Sequence, residues 1–361
     1  MEDKKIRIAI THGDTNGIGY ETIFKTFAEP SILELFTPII YGSPKVAAYH
    51  RKSLNMQVNF NIISKAEDAH PDRLNILTCF NEEVKVDLGI PTEQSAKAGQ
   101  LALDRALADY KQGLFDALVL LPINATENNK GTKNTVQFDA IEEATDSEGK
   151  GLTIYVDGDL RIASLTDDIP LRDALSILEK DHIIERAKTF AESLRRDFRI
   201  SNPRIALLQA NPQPGPEEKD TLQPAINELL NAGVGIYGPY PADEYFSTCQ
   251  FAHFDGTLAI YYNQAMTPLR MLASDSRVVL IAGLPIVHTA PYFSPRFDIA
   301  GKGEADESAL RQAIYLAIDA FRNRANYDEP LANPLKKLYH EKRDDSEKVR
   351  FSIPKKHESH A

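Results

Sequence analysis

The chain has 361 residues, 42% of them hydrophobic and 26% charged, which is the make-up of a folded globular protein of one large or two medium domains rather than a disordered one. Its 52 acidic residues outnumber 41 basic ones, for a net charge of -11, and this speaks against a nucleic-acid partner, whose binding surfaces cluster Lys and Arg. No apolar run approaches the roughly 20 residues of a bilayer span, the start Met1-Glu2-Asp3-Lys4-Lys5 has no signal-peptide plan, and two cysteines, Cys79 and Cys249, form no disulfide framework. The expectation is a cytoplasmic protein without membrane contact.

In chain order, Ile6 to Thr11 reads as a buried strand. It runs into the glycine-rich turn His12-Gly13-Asp14-Thr15-Asn16-Gly17-Ile18-Gly19 and the amphipathic stretch Glu21 to Ala28. Strands are predicted at Pro38 to Tyr41, Val58 to Ile63, Arg73 to Cys79, Ala117 to Leu121, Leu152 to Val156 and Arg161 to Leu165. Four more follow at Arg204 to Leu208, Gly235 to Tyr237, Leu258 to Tyr261 and Arg277 to Ala282. Helical patterns cover Ser95 to Tyr110, Leu171 to Leu178, His182 to Phe198, Leu222 to Ala232 and Ser308 to Arg322. This alternation predicts an α/β fold with a largely parallel sheet. The polar region Glu127 to Lys150 fits no pattern, and the charged end from Tyr339 reads as an exposed tail.

Five segments carry a family resemblance: Ile10 to Gly19; Ile169-Pro170-Leu171-Arg172-Asp173; Gly238-Pro239-Tyr240-Pro241-Ala242-Asp243; Gly283-Leu284-Pro285; and Asp298-Ile299-Ala300-Gly301-Lys302-Gly303. Each is weak singly. In this order and spacing the chain resembles the 4-hydroxythreonine-4-phosphate dehydrogenases of pyridoxal phosphate biosynthesis. The resemblance implies two interleaved α/β domains around a cleft, like isocitrate and isopropylmalate dehydrogenases. On this chain they would be residues 1–130 plus 300–330 and residues 131–299, the latter with the dimer interface, followed by a tail at 331–361. It also implies a homodimer with its site at the subunit interface, a small-molecule ligand, and a divalent metal held by three histidines. The metal polarises the substrate hydroxyl, hydride passes to NAD, and the β-keto acid loses carbon dioxide.

The chain departs from that pattern where the chemistry resides. Phe138, Gln213 and Tyr262 stand at the three histidine positions, and Asn263 replaces the neighbouring carboxylate. A phenyl ring binds no metal, and an amide or phenol is a poor substitute for imidazole, so no metal site is expected. A family lysine is matched by Ala125, and the Thr-His before the Leu-Pro-Leu-Arg-Asp motif by Asp167-Asp168. Of the substrate-phosphate ligands, Arg270 replaces a lysine, Val279 an asparagine and His288 an arginine. Tyr292-Phe293-Ser294-Pro295-Arg296 replaces the segment ahead of the cofactor loop. The nine histidines form no i, i+4 pair that would announce another metal site.

What survives reads two ways. Asp298, Gly301, Lys302 and Gly303 suit an adenosine ligand such as NAD, or are a connecting turn kept for packing. Arg270 and His288 are the anion candidates. Asp14 and Asp243 are the remaining catalytic candidates, each with a bland alternative: a turn cap for Asp14 and a helix N-terminal carboxylate for Asp243. The Gly13 to Gly19 turn either holds an anion or is a strand-to-helix turn. Asp167 and Asp168 read as a solvated loop before an acidic pair that replaces a base or binds a cation, and Tyr261-Tyr262 and Tyr292-Phe293 as rings filling an emptied site before rings that stack a ligand. The sequence therefore predicts either an NAD-dependent dehydrogenase of the pyridoxine-pathway type or a non-catalytic paralogue that binds a metabolite, a nucleotide or a partner subunit.

Overall fold

The computed structural model describes residues 5–124, 135–272, 274 and 276–333. Their strands form one 12-stranded sheet with helices packed along it. Its first half comprises β1 (Ile6–Thr11), β2 (Phe36–Gly42), β3 (Asn61–Ile63), β4 (Asn75–Thr78) and β5 (Ala117–Val119), in the order β3-β4-β2-β1-β5, all parallel. β2 is buried at every residue, as expected for a parallel strand covered on both faces.

The second half comprises β6 (Leu152–Asp157), β7 (Leu160–Ser164), β8 (Ile205–Leu208), β9 (Ile236–Tyr240) and β10 (Gly256–Ala259). β7, β10, β8 and β9 are parallel in that order, and β6 runs antiparallel to β7. The halves are joined by β11 (Val278–Ala282) and β12 (Val287–Pro291): β12 lies parallel to β5, and β11 lies antiparallel to both β12 and β6. An antiparallel seam therefore links two parallel wings of opposite direction.

Helices α1 (Gly19–Thr26), α2 (Pro44–Ser53) and α3 (Glu93–Tyr110) belong to the first wing. α2 begins with Pro44 behind a Ser43 cap, and α3 with a Thr92–Ser95 capping box. Then come α4 (Thr135–Ala144), α5 (Leu171–Ser176), α6 (Lys180–Arg196), α7 (Gln223–Asn231), α8 (Ala242–Ser247), α9 (Tyr262–Leu272) and the 25-residue α10 (Ser308–Ala332). α10 packs on β12, β5 and β11 and touches α1 and α6, so it spans the seam.

The sequence reading anticipated eleven of these strands, and β12 was missed. Four helices were also unassigned: α2, α4, α8 and α9. α4 arises inside the polar Glu127 to Lys150 region, of which residues 127–134 lie outside the described residues, as does Ala125. No helix among the described residues is long and apolar enough to cross a membrane.

Candidate functional site

A cavity of about 1100 Å³ is lined from both wings. β6 contributes Thr153 and Tyr155, which the two-residue strand period puts on one face. α4 contributes Phe138 and Glu142, one helical turn apart, with Asp139 beside them. Asp167 and Asp168 follow β7, Arg186 comes from α6, and Tyr262 and Arg270 from α9. The segment after β12, Tyr292 to Asp298, completes the wall.

The tyrosines form a connected group. The Tyr155 and Tyr292 rings meet edge to face, with centroids 5.4 Å apart at 85°. The Tyr262 and Tyr292 hydroxyls stand 3.5 Å apart, and Arg270 Nη2 donates to Tyr292 Oη at 3.2 Å. The Arg277 guanidinium lies over the Tyr292 ring, 5.7 Å from its centroid. Glu142 uses both carboxylate oxygens to accept from Gly149 and Gly151 N–H, each at 2.8 Å, and so shapes the loop before β6. Burial raises the Asp167 carboxyl above its ordinary pKa, opposed by Arg186. Burial and the nearby Glu142 raise Asp139 in the same direction.

The remaining sequence candidates divide. Phe138, Tyr262, Arg270 and Asp298 come together at the cavity. Gln213, Asp14, Asp243 and His288 are not among the residues that line it. Gln213 is exposed on a bend held by Glu218, which accepts from Ala210, Asn211 and Gly215 N–H. Asp14 is buried; its Oδ1 accepts from Asn16 N at 2.9 Å, the turn-capping arrangement, and burial raises its carboxyl. Asp243 sits exposed in the first turn of α8. His288 is fully buried in β12, with no hydrogen-bond partner on either ring nitrogen. Its ring meets Phe138 edge to face at 5.4 Å, and burial lowers its pKa to about 3. His288, read as an anion candidate, is thus a buried residue behind Phe138 and does not line the cavity.

The Gly13 to Gly19 segment is a strand-to-helix turn. Gly13 has φ +72°, and a Cβ there would lie 2.7 Å from the Pro122 carbonyl oxygen. The Ile18 N–H at the start of α1 donates to Pro295 O at 3.0 Å, and a Cβ on Gly17 would lie 2.6 Å from that same oxygen. Pro295 O thus takes the N–H that an anion at this turn would use.

Comparison with known proteins settles the family. The model of the family described as pyridoxal phosphate biosynthetic protein PdxA matches residues 34–317. The chain belongs to the PdxA family. It is 45% identical to a 4-hydroxythreonine-4-phosphate dehydrogenase of Bacteroides thetaiotaomicron, across 97% of this chain and 98% of the relative. It is 30% identical to one from Zymomonas mobilis, across 89% and 97%. The crystal structure of 4-hydroxythreonine-4-phosphate dehydrogenase from Klebsiella pneumoniae superposes with a TM-score of 0.73 at 25% identity, covering 88% of this chain and all of that one.

The cofactors implied by the PdxA family fit this chain unequally. Of the residues that the family resemblance sets against metal-binding histidines, Phe138 and Tyr262 line the cavity, with the Phe138 ring packed on His288. Among the described residues no three His, Cys, Asp or Glu side chains are grouped to hold a metal ion. This donor set does not fit the family's metal. The adenosine loop fits better. Gly301 and Gly303 keep φ of +77° and +75°, and open space surrounds Gly303 where a Cβ would be. Lys25, unrecognised in the sequence, anchors the loop by donating to Gly303 O at 2.8 Å and Ala305 O at 2.6 Å. The buried Glu21 accepts from Ala305 N at 2.8 Å. Asp298, however, is held by Arg296 through two 2.9 Å hydrogen bonds, so a ribose would have to displace that guanidinium.

Sequence reasoning also missed Asp139, Glu142, Tyr155 and Arg186 as cavity residues. The two from α4 lay in a region with no assigned element. Tyr155 was legible as every second residue of a strand, but nothing in the sequence said which face of β6 met a cavity.

Proposed function

We propose that this chain is a ligand-binding member of the PdxA family that lacks the metal-dependent oxidation and decarboxylation step. One observation carries the reading. The cavity presents Phe138 and Tyr262 where the family resemblance calls for imidazoles, and the Phe138 ring is locked against buried His288. Phenyl and phenol groups offer a metal no adequate substitute for imidazole, so the developing alkoxide has no Lewis acid. Loss of a single oxyanion stabiliser typically lowers turnover by ~100-fold or more. The glycine geometry of Gly301 and Gly303 supports retained adenosine-type binding, with NAD as the candidate.

A second reading, an active NAD-dependent 4-hydroxythreonine-4-phosphate dehydrogenase, is favoured by the 45% identity to the Bacteroides enzyme across nearly the whole chain. One assay separates the two. Purified protein is given 4-phosphohydroxythreonine, NAD and added zinc or magnesium, and NADH is followed at 340 nm (the absorbance band of the reduced nicotinamide). The proposed reading expects no production above background. Turnover of about 1 per second, within the ordinary enzyme range, would overturn it.

A further inference from the structure

Helix α1 runs along the adenosine loop and holds it at three levels. At its start, Ile18 N–H donates to Pro295 O, just ahead of the loop, and the Ile18 side chain forms a small buried cluster with Ala300 and Ala305. In its middle, Glu21 is 1% exposed and accepts from Ala305 N–H through Oε1. In its last turn, Lys25 Nζ reaches three acceptors: Gly303 O, Ala305 O and, at 3.0 Å, Glu21 Oε1. An ammonium has three N–H groups to donate, so this one is fully used.

A second support comes from the turn that precedes α1. Asn16 is fully buried; its side chain accepts from Asp87 N–H at 3.0 Å and donates to Ile90 O at 2.8 Å, and its carbonyl accepts from Gly89 N–H at 3.0 Å. Leu88, held between these contacts, stands so close to Gly301 that a Cβ there would lie 2.6 Å from Leu88 Cδ1.

Glu and Lys four residues apart on a helix ordinarily form an exposed pair that supports the helix alone. This pair differs on two counts. Its carboxylate is buried, and two of the three lysine hydrogen bonds go to carbonyls of the loop. The bonds fall on successive peptide groups: the Gly303 carbonyl on Lys25, the Ala305 N–H on Glu21, the Ala305 carbonyl on Lys25. Each peptide group is planar, so fixing its C=O or N–H fixes its orientation. Gly301 and Gly303 leave the backbone free to take other conformations, and these side chains remove that freedom.

On the reading that this loop still takes an adenosine-type ligand, we infer that Lys25 is a positioning residue for that ligand, with Glu21 as its buried counter-charge. Both act through the loop backbone. They hold the glycine-rich segment in one conformation before binding, which spares the ligand the cost of ordering it.

The test is calorimetric titration of the full-length protein with NAD and with ADP-ribose, which carries the same adenosine end without nicotinamide, beside a thermal melt without ligand. Lys25→Met removes the three hydrogen bonds and should weaken binding of both probes by about tenfold or more. It also strands the Glu21 carboxylate, so the melting temperature should fall. Adding Glu21→Gln removes the stranded charge and keeps an acceptor for Ala305 N–H. In that double variant the melting temperature should recover while the affinity stays about tenfold or more below the parent. Affinity that returns together with stability would show that Lys25 serves only the fold, and would overturn the inference. So would a Lys25→Met protein that binds both probes as the parent does, and in either case the adenosine reading stands. A parent that binds neither NAD nor ADP-ribose overturns the adenosine reading itself, and this inference with it.

Discussion

At the scale of single residues, the first wing and the seam bury three histidines that the sequence did not separate from the rest. His12, His50 and His288 are at most 1% exposed. Burial is the leading cause of low pKa in each, to about 4 for His12, which also feels His50, about 4 for His50 and about 3 for His288. The ordinary value is about 6.5. Between the folded and unfolded values the unfolded chain binds more protons, so stability rises with pH there. It is complete above about pH 6.5 and is lost as pH falls towards 4, at about 1.4 kcal/mol per histidine per pH unit. Guanidinium unfolding at pH 7 and pH 5 should show a fall of several kcal/mol. His288→Leu, which removes two unpartnered nitrogens from the core, should reduce that fall. A stability that is flat between these two pH values would refute the account.

At the scale of elements, a buried ion pair ties α10 to the end of α6 and to the turn between β11 and β12. Arg324 Nε donates to Asp197 Oδ1 at 2.5 Å at the end of α6, and Nη1 donates to the Leu284 and Pro285 carbonyls at 2.9 and 3.2 Å. The two side chains are 7% and 2% exposed. Removing one partner strands the other charge, so Arg324→Met should cost about 3–5 kcal/mol, whereas Arg324→Met with Asp197→Leu should cost clearly less. If the double variant were as unstable as the single one, the pair would not be the cause. Elements were legible where a periodic apolar run stood alone, as in β1, β2 and α6. β12 escaped because Gly283-Leu284-Pro285 marked a turn and because His288 and Thr289 break its apolar run, although both are buried. α9 carries Pro268 inside it, a residue that normally ends a helix. α2 is the avoidable miss, since Ser43-Pro44 is a helix-start signal.

At the scale of the whole molecule, the family scaffold was legible because short motifs survive in order along the chain. The sequence could not say that Gln213 and His288 lie apart from the cavity that holds Phe138 and Tyr262, because that separation depends on which face of a strand and which side of a loop each occupies. The same limit applies to the surface. α5 buries only Ala174, while Leu171 and Leu175, one turn apart, are 55% and 45% exposed, flanked by Ile169 at 38% and Ile177 at 42%. A row of aliphatic side chains left in water costs solvation free energy that a second copy would recover, and twofold pairing is the commonest way soluble chains do so. The chain is therefore expected to be a homodimer, with this row in the contact. Light scattering at micromolar concentration should return twice the mass of 40.3 kDa. Leu171→Glu with Leu175→Glu places two carboxylates in that contact and should return a folded monomer, because these positions contribute nothing to the core of one chain. A monomeric parent would remove the dimer, and a dimer unaffected by the two glutamates would move the interface elsewhere on the molecule.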